Sequence, residues 1–341
     1  MEIAIYGAGA IGGITGAALA RAGHQVLLVD ASEPHVDAIN ADGLTVDRDG
    51  TSTTTRIAAV TPDRLGDGMG MVFLAVKSQH TPDALRVLAP RLAPTGTIVS
   101  LQNGLSEEAI ARAVGAERTV GCLVNWAADW TGPGRLLYGG HGAFVLGELD
   151  GRITPRVREL AGVLSAVEET PVTDNIWGYK WAKVVYGAAL FATALVDAHV
   201  YEVVERSDGV RAALTGIVGE GIAVADKAGV RLQAFDEFDP AWYRSAVAGD
   251  TGARARAMSA IADHYRANTK TKTGIWRDLA VRRRKTEVDG LLTPLVARGE
   301  ALGVPMPLTR RVIALIRDLE DGRRRMDWAN VDDLAAAAAG R

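Results

Sequence analysis

Residues Gly7-Ala8-Gly9-Ala10-Ile11-Gly12 fit the spacing GxGxxG, and their setting limits the fold more than any other feature of the chain. The apolar run Glu2–Tyr6 precedes them, the helical pattern Ile11–Ala22 follows, and a second apolar run, Gln25–Val29, comes next. Strand, glycine turn, helix and strand in that order make a βαβ unit whose helix opens on the loop. Each glycine has a task there. Gly7 makes the tight turn, Gly9 lets backbone approach a pyrophosphate, and Gly12 permits close packing of helix on strand. Ala10 and Ile11 lie in the first turn, where free N–H groups and the helix dipole favour a phosphate. The loop therefore predicts dinucleotide binding; a purely structural glycine turn is the alternative, weakened because the whole unit is in place.

The rest of the first half repeats this alternation. Met71–Val76 and Thr97–Leu101 are aliphatic runs bounded by turn residues, suited to a parallel sheet covered on both faces. Gly43–Val46 and Thr53–Ala59 alternate weakly and predict a small hairpin. Residues 1–174 are thus expected to form an α/β Rossmann domain with a doubly wound, mostly parallel sheet. Pro171 and Asp174-Asn175 mark a change of character. Beyond them Val210–Ala228, Gly252–Ala267 and Thr293–Ala301 carry helical periodicity with no strand-like runs between, so 175–341 is expected to be all-α. The 341 residues suit two domains at ~150 residues each. The cleft between them is the expected ligand site.

Composition removes several classes of function. Lys and Arg number 38 against 41 Asp and Glu, a net charge of −3, which gives no reason to expect nucleic acid as a partner. The one cysteine, Cys122, excludes an intrachain disulfide and a CxxC metal site, and its apolar setting, Val120–Val124, makes it a packed strand residue. The histidines at 24, 35, 80, 141, 199 and 264 show no HxxxH or HExxH spacing, so no metal is expected, and no GxSxG elbow occurs. The longest apolar stretch, Val184–Val196, is shorter than the ~20 residues that cross a bilayer. The N-terminus lacks a basic n-region. A cytoplasmic protein without a membrane partner is the expectation.

Asp30 ends the second strand. A carboxylate there accepts hydrogen bonds from ribose hydroxyls and repels a 2′-phosphate, and no arginine follows in Ala31-Ser32-Glu33-Pro34 to clamp one. NAD(H) is therefore favoured over NADP(H). The alternative role for Asp30 is a cap on the following turn.

Five motifs in order give the chain a resemblance to the ketopantoate reductase family (2-dehydropantoate 2-reductases) over nearly its whole length. They are the Gly7–Gly12 loop, Ala75-Val76-Lys77-Ser78, Leu101-Gln102-Asn103-Gly104, Trp181-Ala182-Lys183 and Arg284-Lys285-Thr286-Glu287-Val288-Asp289. The resemblance implies reduction of a small 2-oxo acid with a nicotinamide cofactor, NADPH in most of the family, by a Rossmann domain joined to a helical one. It implies that Lys183 protonates the carbonyl oxygen, that Glu287 hydrogen-bonds a substrate hydroxyl, that Asn103 lies beside cofactor and substrate, and that Lys77 is on the cofactor side. The chemistry suits Lys183. An alkoxide forming in a dry site needs a proton donor, and desolvation lowers a lysine pKa towards neutrality. Trp177, Trp181, Val184, Val185 and Leu190 surround it, so it either snorkels to the surface or is kept buried for a purpose.

The chain departs from the family where substrate would bind. The family carries asparagines four and eight residues after the lysine, on the same helical face; here they are Gly187 and Phe191. Two amides have become a space and an apolar ring, which suits a larger or less polar substrate. The family's carboxylate-binding serine corresponds to Thr273, with Thr271 close by. Lys270 and Lys272 either add charge for an acidic substrate or are solvated loop residues, and the basic run Arg282–Lys285 is expected to be a solvated face. Two alternatives stand beside a 2-oxo acid reductase: an oxidoreductase of the same fold acting on another ketone, lactone or imine, and a non-catalytic NAD(H) sensor. A homodimer is the expected assembly, since helical second domains often pair.

Overall fold

In the computed structural model, which describes residues 2–268 and 270–340, β1 (Glu2–Tyr6) runs into α1 (Ala10–Arg21) and then β2 (Gln25–Val29). The chain divides into two units, Met1–Ile176 and Trp177–Arg341. The first continues through α2 (Glu33–Asp42), β3 (Leu44–Arg48), β4 (Thr51–Thr55), β5 (Ala58–Val60) and β6 (Met69–Leu74). It is completed by α3 (Thr81–Arg91), β7 (Leu92–Ser100), α4 (Glu107–Val114), β8 (Thr119–Gly132), β9 (Arg135–Glu148) and α5 (Pro155–Leu164).

The strands form one sheet in the order β4-β3-β9-β8-β7-β6-β1-β2-β5. All its pairings are parallel except β3 with β4 and β8 with β9. The central strands are apolar throughout because both faces are covered. Ile3 and Ile5 of β1 pack into one core cluster, with Leu28, Phe73 and Val99, while Ala4 and Tyr6 face a second with Val29, Val72 and Ile98. β1 lies between β2 and β6, so the chain leaves it in one direction and later returns on the other side. This reversal at the carboxyl ends of the strands is where open α/β sheets bind ligands.

Two details differ from the sequence expectation. Thr53–Ala59 is not one strand: Thr53 and Thr55 pair antiparallel with Val46 and Leu44, but Ala58–Val60 leaves the hairpin and adds parallel to β2. The threonines of β4 are mostly exposed at the sheet edge, whereas Ala59 is buried, so the two halves answer to different environments. The long β8–β9 hairpin was not anticipated beyond Val120–Val124; its alternation is broken by register shifts at Asn125/Ala127 and Ala127/Ala128. Cys122 sits within β8, paired with Leu146 and fully buried at 0% exposure.

The second unit contains α6 (Ile176–Thr193), α7 (Val200–Glu205), α8 (Asp208–Lys227), α9 (Pro240–Val247) and α10 (Thr251–Ala267). There follow the short α11 (Gly274–Trp276), a π-helical turn over Arg277–Val281, α12 (Val288–Ala301), α13 (Pro307–Glu320) and α14 (Trp328–Ala339). Among its described residues there is no strand. Side chains cap the helix starts: Ser207 accepts from Val210 N, Asp239 from Ala241 N, Asp250 from Ala253 N and Asp327 from Ala329 N. The buried Glu220 of α8 accepts from Leu308 N and Thr309 N at 2.9 and 2.8 Å, tying α13 to the middle of α8. Gly221 lets α6 and α8 approach closely, since a Cβ there would lie 2.8 Å from Val185 Cγ2.

Candidate active site

In the first unit the three glycines of the loop differ in their surroundings. Gly7 has φ +101°, and a Cβ on it would lie 2.7 Å from Val76 N. A Cβ on Gly12 would lie 2.0 Å from Gly7 O and 2.9 Å from Ala75 Cβ, so helix and strand touch there. A Cβ on Gly9 would meet nothing within 4 Å. Gly9 is also the N-cap of α1, where no side chain caps the helix and no acid lies in the first turn. Open space in front of uncapped N–H groups fits a pyrophosphate.

His35, read in the sequence only as one of six scattered histidines, fixes this loop. Its ring is 1% exposed, accepts from Gly134 N on Nδ1 at 2.9 Å, and therefore donates from Nε2 to Ala8 O, also at 2.9 Å. One imidazole thus joins the start of α2, the glycine loop and the β8–β9 turn. Asp30 follows β2, with its N–H donating to Val60 O at 3.1 Å. Its Oδ1 accepts from Ser32 N at 3.0 Å, the turn-capping role named above, and its other oxygen takes no part in that bond.

Lys77 and Asn103 leave neighbouring strands at the same end. Ala75 N donates to Tyr6 O at 2.8 Å and Leu101 N to Leu74 O at 2.9 Å, carrying the parallel register just past β6 and β7. The buried Gln102 ties the two segments together, donating from Nε2 to Val76 O and Thr81 Oγ1, each at 2.8 Å. Lys77 is partly buried; Asn103 is exposed beside Gly104, whose φ is +84°.

In the second unit, Lys183 lies on α6 among apolar neighbours. Burial pulls its ammonium down to about 8; Lys180 and Lys270 add to the shift, while Glu237 and Asp236 oppose it. Lys180, one turn earlier, is itself buried. Tyr186, one turn later, donates its hydroxyl to Glu237 Oε1 at 2.6 Å. Glu237 comes from the α8–α9 connection and was missed in the sequence: an acid 51 positions from Tyr186 in a charged loop carries no local signal. At Gly187 an added Cβ meets nothing within 4 Å, whereas Phe191 is buried in the helical core.

Thr273 and Glu287 both stand at helix starts. Thr273 is buried, and its Oγ1 accepts from Trp276 N at 3.2 Å, leaving the hydroxyl proton for another acceptor. Glu287 is the N-cap of α12, and the preceding Thr286 is anchored through N and Oγ1 to Glu320, each at 2.7 Å. The structure adds partners to two groups of charges. Lys272 Nζ is 2.6 Å from Asp197 Oδ1 and stacks over Trp276 at 4.2 Å, so its charge is already matched. Arg283, Arg284 and Lys285 are exposed as a solvated face, while Arg282 and Arg284 also pair with the buried Asp278, at 3.3 and 2.9 Å. Lys270 is desolvated, which lowers its pKa; Arg282 adds to the shift and Asp278 opposes it.

The family model described as ketopantoate reductase PanE/ApbA matches residues 3–151, and the model of the C-terminal part of ketopantoate reductase PanE/ApbA matches residues 175–320. A 2-dehydropantoate 2-reductase of Mesorhizobium japonicum is 29% identical, with 94% of this chain and 98% of that protein covered. The crystal structure of a PanE/ApbA family ketopantoate reductase from Ralstonia eutropha JMP134 superimposes with TM-score 0.80 at 30% identity, covering 95% of this chain and 100% of that one. D-mandelate dehydrogenase, solved with NADH and anilino(oxo)acetate, shares the fold with TM-score 0.82 at 23% identity, covering 94% and 99% of the two chains. No helix among the described residues is long and apolar enough to cross a membrane.

Proposed function

The chain belongs to the ketopantoate reductase family and is an oxidoreductase, and from that premise we propose that it reduces the keto group of a small 2-oxo acid, with Lys183 as the proton donor. The observation that carries this reading is the desolvated amine of Lys183, brought to about 8 on a largely apolar helix that also holds the buried Lys180. At neutral pH such a group is charged yet gives up its proton readily, which is what a general acid needs. A surface lysine would hold its proton too tightly.

The cofactor in this proposal is a nicotinamide dinucleotide, which supplies the hydride when bound. Gly7, Gly9, Ala10, Ile11 and Gly12 would hold its pyrophosphate, supported by the space at Gly9 and the uncapped start of α1. The Asp30 oxygen outside the turn bond would accept from ribose hydroxyls and favour NAD(H) over NADP(H). Lys77 and Asn103, at the ends of β6 and β7, would contact the cofactor, Asn103 reaching substrate as well. On the substrate side, the Thr273 hydroxyl would donate to the carboxylate and Glu287 would accept from a substrate hydroxyl. As the carbonyl carbon is reduced, negative charge grows on its oxygen and the Lys183 proton moves onto it. A homodimer in the cytoplasm remains part of the proposal.

The open volume at Gly187 favours a second reading of the substrate, with a larger or less polar side group than ketopantoate beside the lysine. Steady-state oxidation of NADH and NADPH with a panel of 2-oxo acids, running from ketopantoate to aryl and branched alkyl compounds, tests both readings. Turnover of any member that Lys183→Ala lowers by orders of magnitude supports the mechanism. No turnover together with tight NADH binding would favour a sensor instead.

A further inference from the structure

We propose that Glu237 is a positioning residue for Lys183, its buried carboxylate holding the lysine ammonium in the site as the proton donor; the proposal rests on the reading of Lys183 given above. Geometry places the carboxylate on the lysine's side of α6. Tyr186 follows Lys183 by three residues, so the two share a helical face, and the Tyr186 hydroxyl donates to Glu237 Oε1 at 2.6 Å. The Glu237 side chain is 8% exposed, and its Oε2 lies 3.3 Å from His264 Nδ1 of α10. Two further tyrosines, Tyr243 of α9 and Tyr265 of α10, feel its charge. The carboxylate is thus held where the α8–α9 connection meets α6 and α10.

Lys183 is one of the cations on which its charge acts. The groups acting on Lys183 are Lys180 on its own helix, Lys270 after α10, and Asp236 and Glu237 on the α8–α9 connection. Burial and the two lysines expel the proton; the two acids retain it. Asp236 has φ +38°, a left-handed backbone that turns the connection immediately before Glu237. Around Glu237 the ring hydroxyls are pushed up, as expected of phenols sharing a buried site with a negative charge: Tyr186, Tyr243 and Tyr265 all move, burial being the first cause in each. One carboxylate therefore links the helix of the proton donor to α10. Removing its charge takes away one of the two acids that help Lys183 retain its proton.

The test is Glu237→Gln in the full chain, with two readouts. In the ligand-free protein the 15Nζ resonance of Lys183, assigned by its loss in Lys183→Met, should titrate about one pH unit lower than in the parent. With a 2-oxo acid that the parent reduces, the alkaline limb of kcat/KM should move down by a similar amount, while Glu237→Asp keeps it near the parental position. Glu237→Met, neutral and of similar volume, repeats the measurement if the glutamine variant does not fold. An unmoved Nζ titration in a folded neutral variant overturns the proposal, and so does failure of both neutral variants to fold, which would make the carboxylate a structural element. If the parent reduces no carbonyl compound, the functional reading fails, and the Nζ titration still decides the role of Glu237.

Discussion

The Nε2 of His35 donates to the carbonyl oxygen of Ala8 at 2.9 Å, and so fixes the peptide plane that precedes Gly9. The same ring accepts from Gly134 N, so its removal strands two polar backbone groups in a buried place. Each such loss costs about 1–3 kcal/mol. His35→Ala should therefore lower the melting temperature and weaken NADH binding by roughly tenfold, since the loop N–H groups lose their orientation. Fluorescence titration with NADH beside a thermal melt checks this; a destabilised variant with parental NADH affinity would show that the ring supports the fold alone.

Gly9 and Gly12 should respond differently to the same added methyl group. Gly12→Ala drives Cβ to 2.0 Å from Gly7 O, a backbone clash that cannot relax by a rotamer change. Its expected cost is about 1–3 kcal/mol, with cofactor binding lost as the loop shifts. Gly9→Ala meets nothing within 4 Å in the free protein. It should melt like the parent and yet bind dinucleotide at least ~10-fold more weakly, because the methyl occupies the path of the pyrophosphate. Equal melting temperatures for parent and Gly12→Ala would contradict the packing described for α1.

Asp30 is engaged through one oxygen with Ser32 N, so its substitution probes cap and cofactor together. Asp30→Ser retains a hydroxyl acceptor for the turn and removes the charge. The ratio of NADPH to NADH affinity should rise by roughly tenfold as the repulsion of a 2′-phosphate disappears. Paired Kd measurements at one ionic strength decide it, and an unchanged ratio would remove Asp30 as the selector.

Lys183 links activity to stability. Its folded pKa, about 8, lies below the 10.5 of an ordinary lysine, so the folded state holds the proton more weakly than the unfolded chain does. The stability this group permits is full above about 10.5, declines as pH falls towards about 8, and is absent below. Lys183→Met should therefore raise stability at pH 7, by on the order of 2 kcal/mol, and the gain should vanish at strongly alkaline pH. Turnover should fall by about 10²–10⁴ while NADH affinity is unchanged. In the parent, the rate of reduction should decline as pH rises through about 8, because the protonated amine is the reactive form. A denaturation series from pH 7 to 10.5 checks the first claim and a pH–rate profile the second.

The parts of the site legible in the sequence were those where chemistry and local spacing coincide. The glycine loop carries its own strand and helix, and Lys183 stands out among the aliphatic and aromatic residues of a largely apolar helix. The apolar runs of β1, β2, β6 and β7 were plain because both sheet faces are buried. The hairpin of β8 and β9 was not, since its bulges break the alternation that marks a strand. Glu237, His35 and the pairing of Lys272 with Asp197 were hidden for a different reason. Each depends on two segments far apart in the chain, and a lone acid, imidazole or lysine has no periodicity to betray its partner. The pairing of Arg282 and Arg284 with Asp278 is of short range, four and six residues, and was hidden because the burial of one acid beside a basic run has no pattern in the sequence.

The fully covered sulfur of Cys122 gives this molecule a reporter of its own breathing. The chain has one sulfhydryl, on a strand paired on both sides within the parallel part of the sheet and its hairpin. A thiol reagent can reach it only when β8 separates from its neighbours, so the labelling rate counts sheet openings rather than surface encounters. Dinucleotide seated at the ends of β1, β6 and β7 would slow that labelling in proportion to its occupancy. The chain therefore needs no engineered probe for its opening to be timed.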